Sequence, residues 1–222
     1  MGHVTVVGGC RAKAPSTGIL ASSLAVGTTV KLMEGGTAVE YLVVNQGIHS
    51  ERQWDASNIN RYETSAINTW LNGEFFNTLG SAEQAAIKQV KIPYRADGGS
   101  GGTDQSGANG LPAKIFLLSG YEVGWTTSDD SDFPVDGAKL DYFTSGTTTS
   151  ANNKRIAYLS GTDTIWWLRS PSTDNAGRVW FVRSDGDYGD YGASDSDGIR
   201  PALILPKTAL FDTSTLILKG VA

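Results

Sequence analysis

Trp166-Trp167-Leu168-Arg169-Ser170-Pro171 and, about thirty residues on, Gly198-Ile199-Arg200-Pro201-Ala202-Leu203 enclose a segment of opposite character. The flanks are bulky and apolar, whereas Ser184 to Gly198 is almost entirely Asp, Gly, Ser and Tyr. Scaffold positions must pack while display positions stay solvated and adaptable. The contrast is therefore how a rigid frame carrying a binding surface would be written.

The apolar runs read as strands. Trp166 to Leu168, Val179 to Val182 and Ile199 to Leu205 are short, rich in β-branched and aromatic residues, and bounded by Ser, Pro, Asp and Gly. Pro171, Pro201 and Pro206 tell against helix. Core packing is reason enough for the Trp cluster. Arg169 and Arg200 stand inside apolar runs, where an unpaired charge is costly, so each is expected to have a carboxylate or carbonyl partner and a structural role.

The enclosed segment carries five Asp and no basic residue. A solvated loop or hairpin tip is one reading, since turns use Asp, Gly and Ser for positive φ and for side-chain bonds to the backbone. A calcium loop is a second, but Asp185 and Asp187 are followed by Gly189 instead of a third ligand and no Glu stands at the twelfth position, so the EF-hand pattern fails. The third is a binding face of the antibody-loop kind, with Tyr188 and Tyr191 as rigid aromatic contacts among adaptable polar residues.

Four motifs together, Trp166 to Pro171, Gly198 to Leu203, Leu117 to Gly124 and Ile87 to Tyr94, resemble a bacterial and phage domain family of unknown function. Its C-terminal half is similar to the C-type-lectin-like fold, in the branch shared with formylglycine-generating enzymes, and the resemblance covers residues 24 to 206. Many relatives resemble variable proteins of diversity-generating retroelements. In these, mutagenised template adenines yield chiefly Asn, Asp, Ser, Gly, Tyr, Ala, Thr, Arg, Val and Phe, and every residue from Ser184 to Gly198 fits that set.

The fold expected is therefore α+β: a C-type-lectin-like fold with two supporting helices, short antiparallel strands and long irregular loops. Residues 1–24 would be an N-terminal arm, 25–206 the domain with a variable region at about 172–198, and 207–222 a tail. The implied function is display of a hypervariable face that binds a macromolecule, protein or glycan, on a cell surface. Tyr188 and Tyr191 would be the anchors and Trp180 a floor beneath them. Arg183, Asp187, Asp190 and Ser194 would be polar contacts, with Asp185 and Asp195 peripheral. The alternative is a structural or assembly protein of a phage particle or bacterial surface complex without a diversified site.

Composition bounds the rest. With 222 residues, 40% hydrophobic and 18% charged, the chain has enough apolar side chains for a sizeable core. A net charge of -5 and no Lys/Arg cluster argue against nucleic acid. Cys10 is single, no apolar run is long enough to span a membrane, and the first residues lack signal-peptide regions. A soluble product made in the cytoplasm is the expectation. Catalysis is not expected: His3 and His49 have no nucleophile motif nearby, and the cysteine pair of the formylglycine-generating relatives is missing. No cofactor is called for, and neither zinc ligand sets nor the lectin calcium motifs are present.

Along the chain, Thr28 to Leu32 and Val39 to Val44 read as an opening hairpin. Residues before about Ala25 are small and weakly patterned, an arm suited to docking on another subunit or a larger assembly. Ser65 caps a helix with Ile67, Trp70, Leu71, Phe75 and Phe76 on one face, weakened or split at Gly73. Ser81 and Gln84 form a capping box leading into a second helix through Val90, ended by Pro93. Asp97 to Gly110, a Gly, Ser and Asn stretch containing Gly98 to Gly102, reads as a flexible surface loop, not a phosphate cradle, because Leu111-Pro112 supplies no Lys-Ser or Lys-Thr. Two further polar stretches, 126–132 and 145–153, are placed to shoulder the binding face.

Overall fold

Trp166–Pro171 and Arg178–Val182 form strands because their apolar side chains bury themselves on both faces of one sheet, and Trp166, Trp167, Leu168, Val179 and Val182 are all completely inaccessible to solvent. The third run divides, Ile199 ending a strand of the same sheet and Pro201–Leu203 pairing with Ile115–Leu117 in another. The computed structural model describes residues 18–25, 29–34, 37–42, 45–46 and 48–221. It is mixed α/β, sheet-rich, with few helices and no barrel. The central sheet comprises β1 (Ser50–Gln53), β2 (Trp166–Pro171), β3 (Arg178–Val182), β4 (Tyr188–Gly192) and β5 (Ser196–Ile199) in the spatial order β4-β3-β2-β5-β1.

The expectation of antiparallel strands needs one correction. β5 runs parallel to β2, joined through Trp166 and Gly198, because the chain leaves the β3-β4 hairpin and crosses to the far side of β2. The register then continues antiparallel into β1, with Asp197 opposite Arg52 and Ile199 opposite Ser50. The opening hairpin pairs Thr29–Glu34 with Thr37–Leu42 in an unbroken register, and its Gly35-Gly36 turn lies outside the described residues. So do Cys10, His3 and most of the arm.

Both helices are present, in altered form. α1 (Ala66–Trp70) is capped by Ser65, whose Oγ accepts the Asn68 N–H at 3.2 Å. It continues through a π turn, Leu71–Phe75, and a last turn, Phe76–Thr78. The expected weak point at Gly73 therefore widens the helix without breaking it. α2 (Ser81–Ala86) has Gly80, not Ser81, at its N-cap and stops at Ala86. Residues Val90–Ile92, expected in that helix, are instead a strand paired with Leu111–Ala113. Val90 and Ile92 gain ladder bonds and a half-buried surface there, which suits β-branched side chains better than helix does.

Arg169 and Arg200 have the partners their surroundings require. Arg169 is fully buried; Nη1 and Nη2 grip the two oxygens of Glu122, each at 2.6 Å. Its remaining N–H groups reach the carbonyls of Pro93, Leu117 and Asp136 at 2.7 to 2.9 Å, so all five donors are used. Arg200 lies over the Trp166 ring and donates to the Arg155 carbonyl at 3.0 Å, and burial lowers its pKa to about 9. Arg155, over the Trp125 ring, donates to the Val123 and Thr144 carbonyls and to Asn152 Oδ1. Loop 118–157 has little regular structure; Arg169 and Arg200 fasten it to the strands, and Arg155 ties the loop to itself.

Residues set apart as arm and tail meet in a second sheet. Ile19–Leu20 and Leu218–Val221 flank Ala209–Phe211, over a small core of Ala86, Ala209, Phe211 and Leu218. Among the described residues no helix is long and apolar enough to cross a membrane.

Candidate functional site

The Asp-rich segment is mostly strand, not free loop. Tyr188–Gly192 lies against β3 with Val182 opposite Tyr188, Trp180 opposite Asp190 and Arg178 opposite Gly192. Alternation along a strand then sorts the nine candidate residues. Tyr188 and Asp190 share one face with Trp180, while Tyr191 lies on the other with Phe181. The two tyrosines therefore point away from each other, because they stand three positions apart and a strand repeats every two.

Their environments differ as much as their directions. The Tyr188 ring is wedged edge-on against Trp125, Phe133 and Trp180, with centroids 5.4 to 5.7 Å away, and its hydroxyl donates to the Asp129 carbonyl at 2.9 Å. Burial, reinforced by Asp130, Asp187 and Asp129, raises its pKa. Trp180 is 4% exposed, stacks on Phe133 at 4.1 Å and donates Nε1–H to the Asp132 carbonyl. Both are thus held beneath loop 126–133. Tyr191 stacks on Phe181 at 4.4 Å and remains 47% exposed.

The polar candidates fall into three groups. At the hairpin tip, the Arg183 N–H donates to the Asp187 carbonyl at 2.7 Å, the Asp185 carboxylate accepts the Asp187 N–H, and Asp187 in turn accepts the Tyr188 N–H. Gly186, at φ 82°, packs on the last turn of α3 (Thr149–Asn152): a Cβ there would stand 2.1 Å from the Asn152 carbonyl oxygen. In mid-strand, Asp190 faces Arg178 at 3.3 Å. At the far end Ser194 bonds Asn58 Oδ1 through its N–H and hydroxyl, and its carbonyl accepts from Gln53. Asp195, beside it, is exposed. Asp187 and Ser194 are seven residues apart on an extended chain, roughly 20 Å. No compact pocket can use both.

Residues outside the candidate set complete the surface. Asp129, Asp130, Asp132 and Asp174 join Asp187 and Asp190 on the Tyr188 side, and burial, then Asp174, Asp130 and Asp190, push up the Asp132 carboxyl pKa. The polar composition of 126–132 is the signal for the first three, and the stretch does lie beside the hairpin, its Asp129 and Asp132 carbonyls bonded by Tyr188 and Trp180. Asn60 is a second addition. Buried, it donates Nδ2–H to the carbonyls of Asn175 and Arg178 and accepts the Gly99 N–H. Gly98 and Gly99 are buried too, and a Cβ on Gly99 would stand 1.8 Å from the Ser172 carbonyl oxygen. Gly98 and Gly99 are thus packed against Asn60 and the start of the hairpin, and Thr103–Gln105 is a strand paired with Tyr94–Ala96, while Ser100 and Gly101 between them stay exposed as a surface loop would. No group of three or more His, Cys, Asp or Glu among the described residues has the geometry to hold a metal ion.

A profile of DUF6273, a domain of unknown function, matches residues 39–207. The chain belongs to the DUF6273 family. The match takes in the whole central sheet and both helices and leaves out Ile19–Leu20, Ala209–Phe211 and Leu218–Val221, so the terminal sheet lies beyond the shared unit. No curated protein and no solved structure matches the chain.

The different settings of the two tyrosines give an expected result. Tyr188→Ala should cost about 3 kcal/mol or more, because it opens a cavity between three rings. Tyr191→Ala should cost about 1 kcal/mol, mostly the lost stacking on Phe181. Equal losses of melting temperature would show that Tyr191 is as much a core residue as Tyr188.

Proposed function

We propose that this chain is a ligand-binding display protein, a variable protein of a diversity-generating retroelement, built on a C-type-lectin-like scaffold and binding a macromolecule on a cell surface. One observation carries the reading: a frame buried throughout β2 and, apart from Arg178, throughout β3 supports an outermost strand whose residues are all at least partly exposed. Long irregular loops beside the C-terminal hairpin are a lectin-like trait, and here 118–157 supplies them.

On this reading the ligand touches Tyr191, Asp190, Arg178 and Asp195, while Trp180 and Tyr188 hold the surface from below. The test is the locus itself. Sequenced across many isolates, it should hold a near-copy of the DNA for about Trp180 to Leu205 beside a reverse transcriptase gene. Differences should fall at adenines of the copy and change the exposed positions. Variation spread evenly over frame and edge, with no such copy, would favour the assembly-protein reading. The latter draws its support from Leu20 and Val221, exposed on the two edge strands of the terminal sheet.

A further inference from the structure

β4 is the last strand of its sheet, and the hydrogen bonds at its two ends fix which of its groups face out. The Arg183 N–H reaches the Asp187 carbonyl and the Ala193 N–H reaches the Gly177 carbonyl. Residues 187, 189, 191 and 193 therefore bond inward to β3, and 188, 190 and 192 direct their backbone groups outward. The Tyr188 N–H is taken by Asp187 and the Gly192 carbonyl by the Asp195 N–H. That leaves the Asp190 N–H and C=O, the Tyr188 C=O and the Gly192 N–H with no backbone or side-chain partner among the described residues.

The edge is also the one place where both faces of β4 are within reach. To one side lie Asp190, paired with the exposed Arg178, and Asp187, Asp129 and Asp130, outside that pairing; to the other, the exposed Tyr191 ring. We propose that this edge receives an extended segment of a partner protein as an added strand. Its alternate residues would be basic, toward the Asp190 side, and apolar, toward Tyr191. The inference rests on the display reading and names the chemistry of its ligand. Backbone bonds would supply part of the affinity and the two faces the choice of partner. A second copy of this chain is the poorer occupant: two β4 edges paired about their centres set Asp190, each beside its own Arg178 at 3.3 Å, against Asp190, so the pairing adds no new complement of charge.

The test uses the full chain and a labelled synthetic peptide of about seven residues, alternating Lys with Val or Phe, read by fluorescence anisotropy at low salt. Saturable binding is expected. Two isomers carrying N-methyl groups on alternate residues should differ by at least about tenfold, because only one set of N–H groups faces β4. On the protein side, Asp190→Asn removes the charge but keeps the N–H, whereas Asp190→Pro removes both, and an outward-facing edge position tolerates proline. The proline variant should bind at least about tenfold more weakly than the asparagine variant. No binding of the parent peptide overturns the inference, as does equal binding of both isomers. If the proline variant melts early, the isomer comparison on the unaltered chain decides alone. None of these failures touches the display reading, which the locus sequence decides separately.

Discussion

Arg169→Met should lower stability by about 3 to 5 kcal/mol, the cost of leaving one member of a buried pair behind. The replacement fills much of the same volume, so packing loss is small and the effect is that of the charge and its hydrogen bonds. Glu122 would keep the Ser119 N–H at 3.0 Å but lose both guanidinium bonds, and the carbonyls of Pro93, Leu117 and Asp136 would each lose a donor. For a chain of this size the change corresponds to a fall of roughly 10 °C or more in melting temperature. Arg169→Lys should recover little, since an ammonium cannot present the planar fork that reaches five acceptors at once. Adding Glu122→Leu to Arg169→Met should restore part of the loss, because the stranded charge is gone. Thermal melts of the four chains check the scheme, and a near-normal Arg169→Met would mean that the pair does not fasten loop 118–157 to β2.

How far the sequence led depends on whether a residue's neighbours were local. The β2 and β3 runs were legible because apolar β-branched and aromatic stretches declare themselves, and Ser65 because a cap acts within one turn. The partners of Arg169 were legible as a requirement, not as identities: Glu122 is 47 residues away. Composition misled where it is ambiguous between solvation and close approach. Gly99 reads as slack, yet it is a glycine because Ser172 and Asn175 leave no room for a Cβ. Tyr188 and Tyr191 were grouped by treating their segment as loop. Recognised as strand, the same three-residue spacing would have sent them to opposite faces. Val90 shows the reverse limit, since a local capping pattern continued a helix that a ladder to Ala113 had already claimed.

The pH dependence of stability should run opposite to the acid lability of most proteins over the range from pH 5 to 8, and Asp136 is the reason. Its carboxyl is completely buried between Arg169 and Ser170; Oδ2 accepts the Ser170 hydroxyl at 2.7 Å and Oδ1 has no partner. Burial pushes its pKa up to about 7, against the pull of Arg169 and Ser170 and with a push from Glu122 and Asp104. A folded-state pKa above the unfolded one means that the folded chain holds the proton more tightly. The stabilisation is complete below about pH 4, where both states are protonated, and is lost as pH rises through about 7, where the folded chain must ionise a carboxyl in the core. The loss is on the order of a few kcal/mol. Asp197, raised by burial and by Asp195 and Glu51 to about 6, adds in the same direction. Asp136→Asn keeps the shape and an acceptor for Ser170 but cannot ionise, so its melting temperature should vary much less between pH 5 and 8 and exceed that of the unaltered chain at pH 8. A flat profile in the unaltered chain, or an unchanged slope in the variant, would mean that water or a moved side chain reaches Oδ1. Because Arg169 is what favours the ionised form, Arg169→Met should move the loss of stability to still higher pH, which ties the two expectations to one buried cluster.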